Sequence, residues 1–271
     1  MTDTTAPAPG SAATEEPVVV RERHGRIELV RINRESARNS INGPTTKLMD
    51  AIMDELTEDP EVWAVVLTGT GDRAFCAGLD LKAFASGDTA DIMGSKNGFA
   101  GLGSRKFPKP LIAAVNGAAL AGGCEIVLSC DLVVAAEHAI FGIPEVKRGL
   151  VAAGGGLIRL EKLIPRNIAL ELALTGDSID AARAKELGLV NRVVPAADVV
   201  AEALGLADKI CENAPLAVRT SKEIMRRARD LTEEEAWKMN GQLTVPIFTS
   251  HDAMEGAVAF AERRPPVWQG A

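Results

Sequence analysis

The sequence predicts a layered α/β fold, and three observations carry that prediction. The run VWAVVLTG (62–69) is nearly all apolar, as expected of a strand covered on both faces. A helix-spaced stretch lies before it, and an alternating strand-like stretch before that, which is the order of a strand–helix–strand crossover. Short apolar runs separated by glycine turns come next, until the chain turns mostly helical from Gly155 onward.

PVVVRERHGRIELVRINR (17–34) alternates apolar and polar residues around His24-Gly25, which predicts a hairpin of two half-exposed strands. PTTKLMDAIMDELTED (44–59) places Leu48, Ile52, Met53 and Leu56 at helical spacing, ahead of the buried strand at 62–69. LIAAVNG (111–117), DLVVAA (131–136) and AIFGI (139–143) read as further strands, with GGCEIVLSC (122–130) as a short helix between the first two. In the last third only GLVNRVV (188–194) reads as a strand. Gly188, Pro195 and the capping-box pattern Thr232-x-x-Glu235 mark helix boundaries there. We expect a solvated tail at 1–17, a core at 18–200 and a helical region at 201–271.

Composition sets limits on function. The 271 residues are 46% hydrophobic and 25% charged, with no Tyr, so aliphatic packing dominates a core of ordinary size. A formal net charge of −7 provides no field for nucleic acid or anionic lipid, and a phosphate-bearing ligand would need a local cluster. SRKFPKP (104–110) is such a basic cluster, or else a solvated loop. The apolar stretch from Pro110 is interrupted at Glu125, too early to span a bilayer, and the first residues lack the pattern of a signal peptide. Cys76, Cys124, Cys130 and Cys211 show no CxxC spacing, which fits buried thiols in a reducing compartment. His24, His138 and His251 are scattered without ligand spacing, so no metal is expected. These readings together predict a soluble, cytoplasmic protein.

The chemistry concentrates in three short segments. AVNGAALAGGCEIVLSCD (114–131) is small and apolar except for Glu125, and a lone buried carboxylate is costly unless it is paired, hydrogen-bonded or protonated. DRAFCAGLDLK (72–82) lies after the buried strand and turns on Gly78, where open α/β sheets place ligands. AIFGIPEVKRGL (139–150) ends an apolar strand at Pro144, with Glu145 next. Singly, each has a bland reading: a helix-capping Glu, a surface turn with Asp80 as a turn residue, a strand-end Glu facing water. Together they make a candidate acid/base pair beside free backbone donors. GLVAAGGGLIRL (149–160) has neither the ending of a P-loop nor the spacing of a dinucleotide site, and reads as pocket wall and helix packing.

FCAGLDLK, AAVNGAALAGGCE and FGIPEVKRGL closely resemble the signature segments of the crotonase superfamily, the enoyl-CoA hydratases and isomerases. The resemblance runs from about Val18 to the C-terminal EGAVAFAERRPPVW. It implies a spiral of ββα units with a C-terminal helical trimerisation region, as a homotrimer or a hexamer of paired trimers. It also implies an acyl-CoA thioester as substrate, with no cofactor beyond the coenzyme A that the substrate carries.

Carried over by residue, the resemblance puts the oxyanion hole on the backbone N–H groups of Leu79 and Gly122, and the two catalytic carboxylates on Glu125 and Glu145. Because only the amide at 79 is used, Leu in place of the family's frequent Ala is tolerated. Ala37 and Arg38, in the segment Ala37-Arg38-Asn39-Ser40, would line the adenine and pantetheine path with Ala77, Asp80, Leu81 and Lys82; Phe260 and Arg263 would reach a neighbouring subunit's ligand. Hydration of an enoyl-CoA is the activity expected. A double-bond isomerase or CoA-dependent dehydratase on the same scaffold, and a non-catalytic acyl-CoA-binding homologue, are the alternatives.

Overall fold

The computed structural model describes residues 16–87, 91–92 and 94–271. The expected tail therefore lies outside the described residues up to position 15. A hairpin opens the fold as predicted: β1 (Val19–His24) and β2 (Ile27–Ile32) pair antiparallel, with His24 opposite Ile27 across the turn. Only β1 is half-exposed; β2 is buried at all but Arg31, its Glu28 covered by ion pairs to Arg21 and Arg23. The helix expected next is α1 (Gly43–Glu58), started by the Asn42 side chain accepting from Thr45 N and burying Met49, Ile52, Met53 and Leu56. β3 (Ala64–Gly69) is buried along its whole length and pairs parallel with β2, which completes the crossover.

From β3 onward the chain shuttles between two sheets. β4 (Ala74–Cys76), β6 (Ala118–Leu120), β8 (Ile140–Gly142) and β9 (Ser178–Asp180) form a four-stranded sheet in that order. β5 (Leu111–Val115), β7 (Leu132–Ala136) and β10 (Arg192–Val194) extend β1, β2 and β3 into a six-stranded sheet. β4, β6 and β8 run parallel as neighbours, so the chain leaves each of them at the same edge of the small sheet. After β4 comes α2 (Leu81–Ala85), after β6 comes α3 (Gly122–Val127), and after β8 comes a 3₁₀ turn at Pro144–Arg148. The three segments singled out in the sequence are therefore brought side by side by strand order.

Three strands depart from expectation. β4 and β6 lie in stretches read as loop and turn, and β9 falls in the region read as helical apart from GLVNRVV. Each is three residues long, too short for a period-2 pattern to register. Of GLVNRVV, only Arg192–Val194 is strand; Asn191 before it turns its side-chain oxygen to Val133 N at 2.7 Å.

The next helices are α4 (Gly156–Leu163), α5 (Arg166–Thr175), α6 (Ala181–Glu186) and α7 (Val199–Cys211). Residue 200, the expected boundary, falls inside α7, which lies across β3, β5 and β7 and buries Val199, Ala203 and Ala207. A 3₁₀ turn at Ala196–Asp198 separates it from Pro195. α8 (Pro215–Ala228), α9 (Glu233–Phe248), begun by the predicted Thr232–Glu235 capping box, and α10 (His251–Glu262) complete the chain.

Two of the three cations in the basic segment SRKFPKP turn inward, while Lys106 stays exposed. Arg105 donates to Gly101 O at 2.7 Å and to the carboxylates of Asp50 and Asp54, while Lys109, 1% exposed, donates to Leu56 O and Asp59 O. Arg105 and Lys109 are thus spent on the C-terminal half of α1 and on the 97–105 loop.

Buried asparagine side chains replace ladder bonds where the sheets part. Asn39, fully buried at a φ of 53–55° shared with Arg38, donates to Thr70 O at 2.9 Å and Ala74 O at 2.8 Å and accepts from Arg34 N at 3.0 Å. Replacing Asn39 with Ala orphans these groups and leaves a left-handed backbone that Ala disfavours. Asn39→Ala should lower unfolding free energy by about 2–3 kcal/mol in a denaturant titration. A change below about 0.5 kcal/mol would mean that water replaces the side chain.

Candidate active site

Two backbone amides are left over where β4 and β6 end. The chain at 79 is pinned by a parallel bridge to Ile41: Ile41 N donates to Gly78 O at 2.8 Å and Asp80 N to Ile41 O at 2.9 Å. That pattern leaves Leu79 N–H on the side away from Ile41, and no acceptor meets it among the described residues. Gly78, at φ +90°, lies so close to the next strand's exit that a Cβ on it would stand 2.9 Å from Gly122 N. Gly122 N–H opens α3 and likewise meets no acceptor among the described residues.

Ala121 aims that amide. It holds φ 52° and ψ −129°, a conformation costing on the order of 1–3 kcal/mol in a non-glycine residue, and is anchored by its own N–H to Gly142 O at 2.9 Å. Around it only glycine fits. A Cβ on Gly123 would stand 1.9 Å from Cys76 O, and one on Gly122 would stand 2.3 Å from the Phe99 ring.

Glu125 is 4% exposed on α3. Its Oε1 accepts from Gly156 N at 2.8 Å, and a Cβ on Gly154 would stand 2.6 Å from its Oε2. Burial raises its pKa, while the Gly156 and Gly154 amides and the Arg159 guanidinium pull it back. Glu145 sits half-buried in the 3₁₀ turn after β8, fixed by Pro144, and its Oε2 is buried with no hydrogen-bond partner among the described residues. Burial pushes its pKa up to about 7, helped by the negative charge of Glu125 and opposed by its own backbone amide and by Arg148. Both carboxyls are thus shifted upward by burial, Glu125 with two backbone amides and Arg159 offsetting part of the shift, Glu145 up to about 7.

The remaining candidates divide. Arg38 O accepts from Ala77 N at 3.1 Å, so the Ala37-Arg38 turn and the 77–82 segment lie against each other. Leu81 and Lys82 are exposed beside them. Asp80 caps α2 through Lys82 N and Ala83 N and pairs with Arg34 at 3.0 Å, so both its oxygens are engaged. Phe260 and Arg263 are not folded around the glutamates by this chain: they end α10, and Phe260 is 88% exposed. The sequence reading misses Phe99, and treats Gly154, Gly156 and Arg159 only as pocket wall and helix packing. The signal for the last three was the triple glycine opening a helix, which supplies amide donors at close range.

The fold and the site define a class: an α/β spiral that brings two backbone amides without acceptors among the described residues close to two carboxyls. Residues 22–271 match the enoyl-CoA hydratase/isomerase family, and the chain belongs to it. It is 42% identical over 260 residues to enoyl-CoA hydratase EchA19 of Mycobacterium tuberculosis, covering 93% of this chain and 97% of the relative. It is 40% identical over 237 residues to a carnitinyl-CoA dehydratase of Proteus mirabilis, covering 86% and 91%. A crystal structure of an enoyl-CoA hydratase from Mycobacterium tuberculosis superposes with a TM-score of 0.91 at 48% identity, covering 94% of this chain and all of that one.

A carboxyl whose pKa is higher folded than unfolded favours the folded state at low pH. For Glu145, stability is therefore greatest below its ordinary value of 4.5 and falls as pH rises through about 7. Glu145→Gln should flatten this fall in urea titrations run between those limits. An unchanged slope would mean that Glu145 titrates as an ordinary surface carboxyl.

Proposed function

We propose that the protein adds water across the 2,3 double bond of an enoyl-CoA thioester. The observation that carries this reading is the pairing of a donor-held Glu125 with Glu145, whose pKa is pushed up to about 7, beside two amides that meet no acceptor among the described residues. Addition of water at C3 pushes charge onto the thioester oxygen, and each well-placed donor there contributes about 2.7–4 kcal/mol. Leu79 N–H and Gly122 N–H supply the two donors. Glu125, held as its anion, orients the water and takes its proton; Glu145 delivers a proton to C2. Acid and base groups near the working pH typically contribute ~10²–10⁴-fold each.

The reverse reaction uses the same groups, so dehydration of a 3-hydroxyacyl-CoA is the second reading. The carnitinyl-CoA dehydratase relative favours keeping it. The coenzyme A moiety runs past Ala37, Arg38, Ala77, Leu81 and Lys82 and is the only cofactor-like group required. Phe260 and Arg263 serve a neighbouring subunit's ligand in a trimer or a pair of trimers. Supporting that assembly, Trp237, Phe248, Met254 and Phe260 leave large apolar side chains in solvent on α9 and α10, each at least 68% exposed.

Glu125→Gln and Glu145→Gln should each lower turnover on a 2-enoyl-CoA at least ~10²-fold, with acyl-CoA binding by calorimetry within a few-fold of the parent. Near-parental turnover in either variant removes that residue from the reaction. Sedimentation velocity should report a trimer or hexamer, and an active monomer would contradict the subunit-sharing role of Phe260 and Arg263.

A further inference from the structure

The turn Gly154-Gly155-Gly156 does more than donate to Glu125, because a guanidinium lies on it. Arg159, one turn into α4, donates from Nη2 to Gly103 O at 2.6 Å and reaches Gly154 O from Nη1 at a long 3.5 Å. A Cβ on Gly155 would stand 2.1 Å from that Nη1, so the guanidinium is packed directly on the turn. Gly103 in turn donates to Phe99 O at 3.0 Å, and the Phe99 ring covers Gly122. One side chain therefore joins the cradle of Glu125 to the loop that covers an oxyanion donor.

Its charge has no carboxylate at ion-pair distance among the described residues, since both of its hydrogen bonds go to backbone carbonyls. We infer that Arg159 is a positioning residue for Glu125: it locks the glycine turn that holds the carboxylate and sets an otherwise unpaired positive charge beside it. The groups facing Glu125 are the Gly154 and Gly156 amides and Arg159 from α4 and the turn before it, Glu145 from the 3₁₀ turn, and Cys124 from α3 itself. Burial works against the charge on Arg159 and the Glu125 carboxylate supports it, so each favours the other's ionised state.

The inference rests on the proposed reaction in taking Glu125 as the group that activates water. The test compares Arg159→Met and Arg159→Lys with the parent in pH profiles of kcat and KM on a 2-enoyl-CoA. The Met variant should move the acidic limb of kcat upward by about one pH unit with KM changed less than ~3-fold, and Lys should recover part of the shift. A kcat lowered by one factor at every pH, with the limb unmoved, would overturn the inference in favour of a purely structural arginine. Should the Met variant not fold, Arg159→Gln carries the same comparison. A second arm needs no turnover: ¹³C titration of the Glu125 carboxyl, assigned with Glu125→Gln, should show a higher midpoint in the Arg159 variant. An unmoved midpoint overturns the inference even if the parent proves to hydrate no enoyl-CoA, an outcome that by itself would defeat only the reading of the reaction.

Discussion

Everything at this site depends on keeping a carboxylate buried. Glu125 has almost no contact with water, and an unpaired buried anion would simply take up a proton. Backbone amides brought within hydrogen-bond reach oppose this uptake, although burial still leaves the pKa above its ordinary value, and that closeness is available only where side chains are missing. Gly154 and Gly156 lie against the carboxylate, and Gly123 lies against Cys76 O where α3 meets β4. Glu145 has less of this support: its own backbone amide opposes the shift, but its Oε2 meets no partner among the described residues and burial carries its pKa up to about 7.

The small sheet converts this local chemistry into a working arrangement. β4, β6 and β8 are parallel neighbours, so their exits deliver Leu79, then Gly122 with Glu125, then Glu145, in adjacent positions. The larger sheet carries most of the apolar burial, with β3 and β5 fully enclosed and α7 laid across them. Stability and chemistry are thus divided: strain at Ala121 and buried polar groups at the small sheet are sustained by a large aliphatic layer next to it.

Much of this was legible in the sequence. The hairpin at His24-Gly25, the α1 stripe and the unbroken apolar β3 are evident from periodicity alone, because each is long enough to show a period. The two glutamates were legible for the opposite reason: each breaks an apolar pattern. The features that escaped notice were short or indirect. β4, β6 and β9 offer three residues each, and the pattern of spending charge inside the fold hid the role of the basic loop, where Arg105 and Lys109 serve α1. Arg159 was invisible as a site residue because its hydrogen bonds go to backbone carbonyls, which carry no side-chain signal in the sequence. Asp80 shows the converse, a carboxylate beside the site whose oxygens the sequence could not reveal to be engaged by Arg34 and the α2 amides.

The central claim is geometric: the amides of Leu79 and Gly122 converge on one point that faces both glutamates. A crystal structure with an unreactive enoyl-CoA thioester analogue tests it most directly. The account predicts the thioester oxygen about 3 Å from both nitrogens, with C2 and C3 turned toward Glu145 and Glu125. A thioester oxygen bound by other donors, or an acyl group lying away from both carboxyls, would contradict it.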